Sequence, residues 1–249
     1  MPFQSQVYTL FAPAQEGDYA SANPRAVVLA GPGSLVAGAA GVTVGRFAWA
    51  VSTGSTDIES GETDFYNTVN SYGVGLPTGF VHRETNAQFT TYLAEAGYSI
   101  LPGFGLTLHA SGDFWVKNTG ASAVTVGQKV YANYGTGAIT TAATGTPPTN
   151  AGITAATASG SPTLTVASNT GANIVVGQPV SGTGIPAGAY ISALGTGTGG
   201  AGTYTMSANA TSTNASETVT ATLAVETKWY AMSAAAAGEL FKMTSQALG

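Results

Sequence analysis

Apolar and polar residues alternate with a period of two along much of this chain, the pattern of strands with one buried face. Residues 42–51 (Val-Thr-Val-Gly-Arg-Phe-Ala-Trp-Ala-Val) alternate and stop at Ser52-Thr-Gly. Residues 105–109 alternate, and residues 113–117 run into Asn118-Thr-Gly, a turn signal. Residues 163–166, 173–176, 189–192, 203–206 and 217–223 repeat the pattern at short spacing. Short strands separated by Gly, Asn and Pro turns predict a β-sandwich or barrel. Residues 87–96, which also fit a helical turn, are read as a further strand. The predicted fold class is all-β.

A weak internal repeat supports that reading. Asn118-Thr-Gly followed by Val124-Thr-Val-Gly-Gln-Lys-Val130 matches Asn169-Thr-Gly followed by Ile174-Val-Val-Gly-Gln-Pro-Val180. Val42-Thr-Val-Gly45 is a third echo. A Gly after an apolar triplet fits a bulge or tight bend at a sheet corner better than a repeated ligand loop.

Charge divides the chain into three. Residues 1 to about 128 hold most charges and aromatics, residues 130–216 contain no Asp, Glu, Lys or Arg, and charge returns at Glu217, Glu226 and Lys228. The central stretch lacks the Leu, Glu, Lys and Arg that long helices use. Its flanks, Val130-Tyr-Ala-Asn-Tyr134 and Val225-Glu-Thr-Lys-Trp-Tyr-Ala231, share one aromatic strand character, so the stretch between them reads as an insertion at a loop tip. The expected organisation is an extended N-terminal arm at 1–25, a β-barrel or sandwich from 26–151 plus 223–249, and an inserted small Gly/Thr-rich β-sandwich at 152–222.

Composition narrows function. Only 8% of the 249 residues are charged and the net charge is −5. The basic patch that displaces counterions from nucleic acid is missing, so no nucleic-acid partner is expected. Disorder through high net charge and low hydrophobicity is excluded. No Cys is present, so no disulfide or thiolate chemistry follows. The apolar region 26–51 is interrupted by Gly31, Pro32, Gly38, Gly45 and Arg46, which argues against a membrane helix. No basic start precedes the first apolar run, so no secretory signal is expected. A surface this poor in charge is a liability for a soluble monomer, and large interfaces remove it. The chain is therefore read as an oligomer or assembly component.

Candidate chemistry is sparse. His82 and His109, the two histidines, are far apart in sequence and read as structural, with no Gly-x-Ser-x-Gly nucleophile elbow in the chain. Asp57, Glu59, Glu62 and Asp64 offer hard oxygen ligands for a cation such as Ca²⁺, but their spacing is not that of an EF-hand and an exposed, solubilising loop is the simpler reading. Gly195-Thr-Gly-Thr-Gly-Gly200 satisfies G-x-G-x-x-G formally, yet a strand follows it instead of a helix. Asn209-Ala-Thr and Asn214-Ala-Ser are formal glycosylation sequences without a secretory context. Trp49, Trp115 and Trp229 sit in alternating segments and read as core. No catalytic, metal or cofactor residue is assigned, and no enzymatic activity is expected.

Several stretches resemble the capsid cement (head decoration) proteins of tailed bacteriophages. They are Asp18-Tyr-Ala-Ser-Ala-Asn-Pro-Arg25, Gly41-Val-Thr-Val-Gly-Arg-Phe-Ala-Trp49, Gly79-Phe-Val-His-Arg-Glu84 continuing to Leu101-Pro-Gly103, and Gly112-Asp-Phe-Trp-Val-Lys-Asn118 with Ala237-Gly-Glu-Leu-Phe-Lys242. The central stretch is similar to a small β module found in many phage structural proteins. The resemblance implies a virion protein on the outer capsid surface that cements neighbouring major capsid protein subunits and stabilises the expanded head. It implies self-association as a homotrimer, with a dimer as the alternative, and no membrane partner. Another phage component (tail, collar or fibre) is the competing reading, and a carbohydrate-binding module the third.

Overall fold

The computed structural model describes residues 14–31, 33–52, 61, 63, 65–84 and 98–246. Nineteen strands and no helix form among them, so the fold is all-β. The acidic group at 57, 59, 62 and 64, the segment 87–96 and residues 1–13 lie outside the described residues.

The first sheet has the order β1 (Ala26–Val27), β8 (Leu108–Ser111), β6 (Gly79–Val81), β4 (Phe47–Ser52), β5 (Tyr66–Asn70), β2 (Val36–Ala37). The second runs β11 (Ile139–Ala142), β10 (Lys129–Asn133), β18 (Ala224–Ala231), β19 (Leu240–Thr244), β9 (Asp113–Lys117). Phe47, Trp49 and Phe80 of the first sheet meet Phe114, Val116, Trp229 and Phe241 of the second in one buried cluster. The other face of the first sheet, through Ala48, Ala50, Val69 and Val81, covers a further cluster with Leu35, Val42 and Ile100. A small ribbon, β3 (Val42–Thr43) with β7 (Ser99–Ile100), closes that side. Strand β4 is therefore buried on both faces from Phe47 to Ala50, as central strands covered on both sides are.

The third sheet is built wholly from residues 149–222: β14 (Val180–Ser181), β17 (Asn214–Thr222), β12 (Thr149–Thr157), β13 (Thr163–Asn169), β16 (Gly202–Met206), β15 (Ile191–Leu194). It covers only one face. Leu164, Val166, Tyr204, Met206, Val219 and Ala221 point into its own cluster with Ile174 and Ala189. Thr163 and Thr165, the alternate positions of β13, are exposed. The two ends of this sheet meet, with Thr149 opposite Thr222 and Asn150 opposite Ala221.

The repeat is structural. In each main copy the Gly of Asn-Thr-Gly donates its backbone N–H to the Asn side chain (Gly120 to Asn118, Gly171 to Asn169, both 3.0 Å). In each, the Gln Oε1 accepts the backbone N–H three residues earlier (Thr125 to Gln128, Val175 to Gln178, both 3.0 Å). Gly127 and Gly177 adopt φ of +88° and +91°, the left-handed region that favours glycine. These turns alter two predicted strands. Residues 173–176 are a looped segment held by Ile174 N–H on the Gly199 carbonyl. Residues 42–51 are two strands, because Gly45 (φ +78°) turns the chain between β3 and β4.

Candidate assembly interface

An apolar groove opens along the first sheet. Residues Ser71–Thr78 leave β5 and carry Tyr72, Val74 and Leu76 past Trp49, while the chain beyond β1 brings Leu29 alongside. The cavity measures about 600 Å³, and none of its thirteen lining residues is charged. Leu29 is 92% exposed, Leu76 69% and Tyr66 59%, and Val74 and Tyr72 are exposed beside them. Apolar side chains this exposed and this close together mark a contact surface more often than a solvent face. The groove wall is fixed from below. The Trp49 indole N–H donates to the Gly75 carbonyl at 3.2 Å, and Gly73 lies so close to the indole that a Cβ there would overlap it. The Gly73 carbonyl also lies close against Gly177, in the loop between β13 and β14, where a Cβ would overlap it.

A second arrangement lies on the opposite flank of β6. Because β6 and β8 pair antiparallel with Phe80 opposite His109, His82 and His109 come to 5.5 Å between ring centres. The expectation that the two histidines stand apart is corrected: 27 positions of sequence separation disappear in one strand pairing. Tyr19 stacks on His82 at 3.9 Å, meets His109 edge-on at 5.7 Å, and touches Phe114 at 5.5 Å. The Arg25 guanidinium sits 3.8 Å from the Tyr19 ring centre. Two groups this near one ring centre occupy opposite faces, so Tyr19 is held between Arg25 and His82.

Residues 14–25 thus lie against the body of the protein. Gly17 N–H donates to the Trp115 carbonyl at 2.8 Å, Trp115 N–H to the Asp18 carbonyl at 2.8 Å, and Ala20 N–H to the Asp113 carbonyl at 2.9 Å. The Asp113 carboxylate accepts from Ser21 (2.5 Å), Asn23 (2.6 Å) and Thr244 (2.6 Å). Burial alone would raise that carboxyl, but these three side-chain hydrogen bonds outweigh it and hold its pKa below the ordinary value. Burial pushes His109 down to about 4, helped by His82 and Arg25, and burial also lowers His82 against the pull of Asp18. Both imidazoles are neutral at pH 7.

The remaining sequence candidates resolve differently. The 195–200 stretch wraps the Tyr204 hydroxyl, which accepts from Gly199 N–H (3.0 Å) and donates to the Gly200 carbonyl (2.7 Å). It is a packed turn and no phosphate cradle. The Asn214 amide donates to the Thr183 carbonyl at 2.7 Å. Trp49 and Trp229 are core, but Trp115 is half-buried with the Lys242 ammonium 5.0 Å from its ring. Among the described residues no three of His, Asp or Glu come together as a metal site would need. Sequence reasoning missed the groove, because Leu29 and Leu76 look like any other core residue in one dimension.

A family model described as XM1 gp53 minor capsid protein matches residues 3–163, which include every groove residue but Val176 and the Tyr19–His82–His109 cluster. No curated protein matches the chain.

Proposed function

The chain belongs to the XM1 gp53 minor capsid protein family, and from that premise we propose that this phage structural protein cements the capsid, docking its uncharged groove on the outer face of the major capsid protein shell. The observation that carries the reading is the groove itself. Five exposed apolar side chains, Leu29, Tyr66, Tyr72, Val74 and Leu76, converge on one uncharged trough. Covering such side chains contributes about 1.5–3 kcal/mol each before association costs are subtracted. An apolar segment of the shell protein is the occupant that fits, because nothing in the lining offers a charge to a polar ligand.

In this reading residues 26–151 and 223–249 form the capsid-binding unit, residues 1–25 an arm at its edge, and residues 152–222 a module that projects outward. The self-contained cluster of the third sheet and the adjacency of Thr149 and Thr222 support that division. A homotrimer places three grooves around one local three-fold position of the shell.

Co-sedimentation with expanded capsids assembled from the cognate shell protein tests this. Wild type should bind saturably at hundreds of copies, and Leu29→Asp with Leu76→Asp should weaken binding at least tenfold while leaving the thermal midpoint unchanged, since both residues already face solvent. Full binding by the double variant refutes the groove as the docking face. Saturation at tens of copies or fewer moves the protein to the tail or collar.

A further inference from the structure

The segment 14–25 is anchored where the protein's titratable groups are most crowded. Tyr19 lies between Arg25 and His82, and its hydroxyl stands 3.4 Å from His109 Nε2. His109 is buried, and its Nδ1 has no hydrogen-bond partner. A ring nitrogen without a hydrogen tolerates that position far better than an N–H does, so the neutral ring keeps its proton on Nε2, facing Tyr19. A second proton would have to sit on Nδ1, where no acceptor exists.

We propose that residues 14–25 are an acid-released strap, which leaves β9 when His82 and His109 take up protons while the three sheets stay folded. Protonation there has nowhere to be compensated. Arg25 faces the pair from the strap, Arg83 from the end of β6, and Lys228 lines the same small cavity as His109. The facing carboxylate, Asp18, is already 3.4 Å from Arg83. Asp113 spends both oxygens on Ser21, Asn23 and Thr244, and Glu84 accepts the Thr107 N–H. Two imidazolium rings 5.5 Å apart would repel each other and the guanidinium beyond Tyr19. Releasing the strap exposes both rings to water, and nothing else in the fold needs to open. Neither histidine lies in the second or third sheet.

The sign follows from burial. The folded pKa of each histidine is lowered, so the strap is fully held above the ordinary value of 6.5 and loosens as pH falls toward the folded value, about 4 for His109. Hydrogen exchange on the full chain, corrected for the intrinsic pH dependence of exchange, reads this directly. Between pH 7.5 and pH 4 the Gly17 and Ala20 amides should lose protection on the order of 100-fold relative to the amides of β13. His109→Gln, and separately His82→Gln at its half-buried position, should each flatten that loss. Parallel loss in the strap and β13 would overturn the proposal, as would an undiminished loss in both variants. A loss confined to below pH 4 would assign the release to Asp113 and overturn it equally. If His109→Gln does not fold, His82→Gln and the wild-type pH course still decide.

Discussion

The repeated Val-Gly-Gln turn offers a controlled experiment, because one hydrogen bond occurs twice in different surroundings. Gln178 is 1% exposed and its Oε1 accepts Val175 N–H at 3.0 Å. Gln128 makes the same bond to Thr125 N–H, but it is only half-buried and Thr125 is exposed. Methionine replaces glutamine at nearly constant volume and removes the acceptor. At 178 the Val175 N–H is left in a partly buried site beside Gly177, which costs about 1–3 kcal/mol. At 128 water reaches the freed Thr125 N–H, and the loss stays at about 0.5 kcal/mol, with the Thr141 hydroxyl (2.8 Å from the same oxygen) also free to turn to solvent. For a chain of this size 1 kcal/mol corresponds to roughly 2–4 °C in the midpoint. Gln178→Met should therefore lower the thermal midpoint by about 2–12 °C and Gln128→Met by about 1–2 °C, read by the β-sheet circular dichroism signal. Equal shifts would refute the reasoning that burial, and not the bond itself, sets the cost.

Two further outcomes follow from the same geometry. Gly177→Ala combines a left-handed φ of +91° with a Cβ that overlaps the Gly73 carbonyl, so it should destabilise by about 2–4 kcal/mol in denaturant titration, whereas Gly127→Ala (φ +88°, open space around a Cβ) should cost only about 1–2. Excising residues 151–220 and joining the adjacent ends with a two-residue turn should leave a folded protein whose aromatic near-ultraviolet signal persists, since the excised segment gives the cluster of Phe47, Phe80, Phe114 and Trp229 no buried member and only the partly buried Val175 at its edge.

What could be read from the sequence depends on how many faces a strand buries. Residues 163–166, 203–206 and 217–223 alternate clearly, and they are β13, β16 and β17 of a sheet with one covered face. Residues 42–51 also alternate, yet the pattern conceals a break, because β4 is apolar on both faces and only Gly45 marks the turn before it. The Asn-Thr-Gly and Val-Gly-Gln repeat was legible because its residues act locally, within three positions of one another. The histidine pair and the groove were not. His82 meets His109 only through the β6–β8 register, and Leu29 lies 47 positions from Leu76 in an apolar stretch that looks buried throughout.

Charge poverty and turn chemistry are two sides of one solution. Among the described residues only two ion pairs form, Arg83–Asp18 and Lys129–Glu226, so register is set by other means. At 44–45, 124–127 and 174–177 the same device recurs. A buried valine or isoleucine donates its N–H to a loop carbonyl (Tyr98, Ala235, Gly199), and a left-handed glycine donates to another carbonyl (Val81, Ala231, Ile191). These bonds are between neutral groups, so salt does not screen them and they ask for no charge on the surface. Charged side chains can then be concentrated under the strap, while the groove lining has none. A chain held by ion pairs would have spread charge over every face, including the one that docks. By fixing its loops through glycine and backbone amides, this chain keeps an uncharged contact face and gathers both of its histidines on the flank that carries residues 14–25.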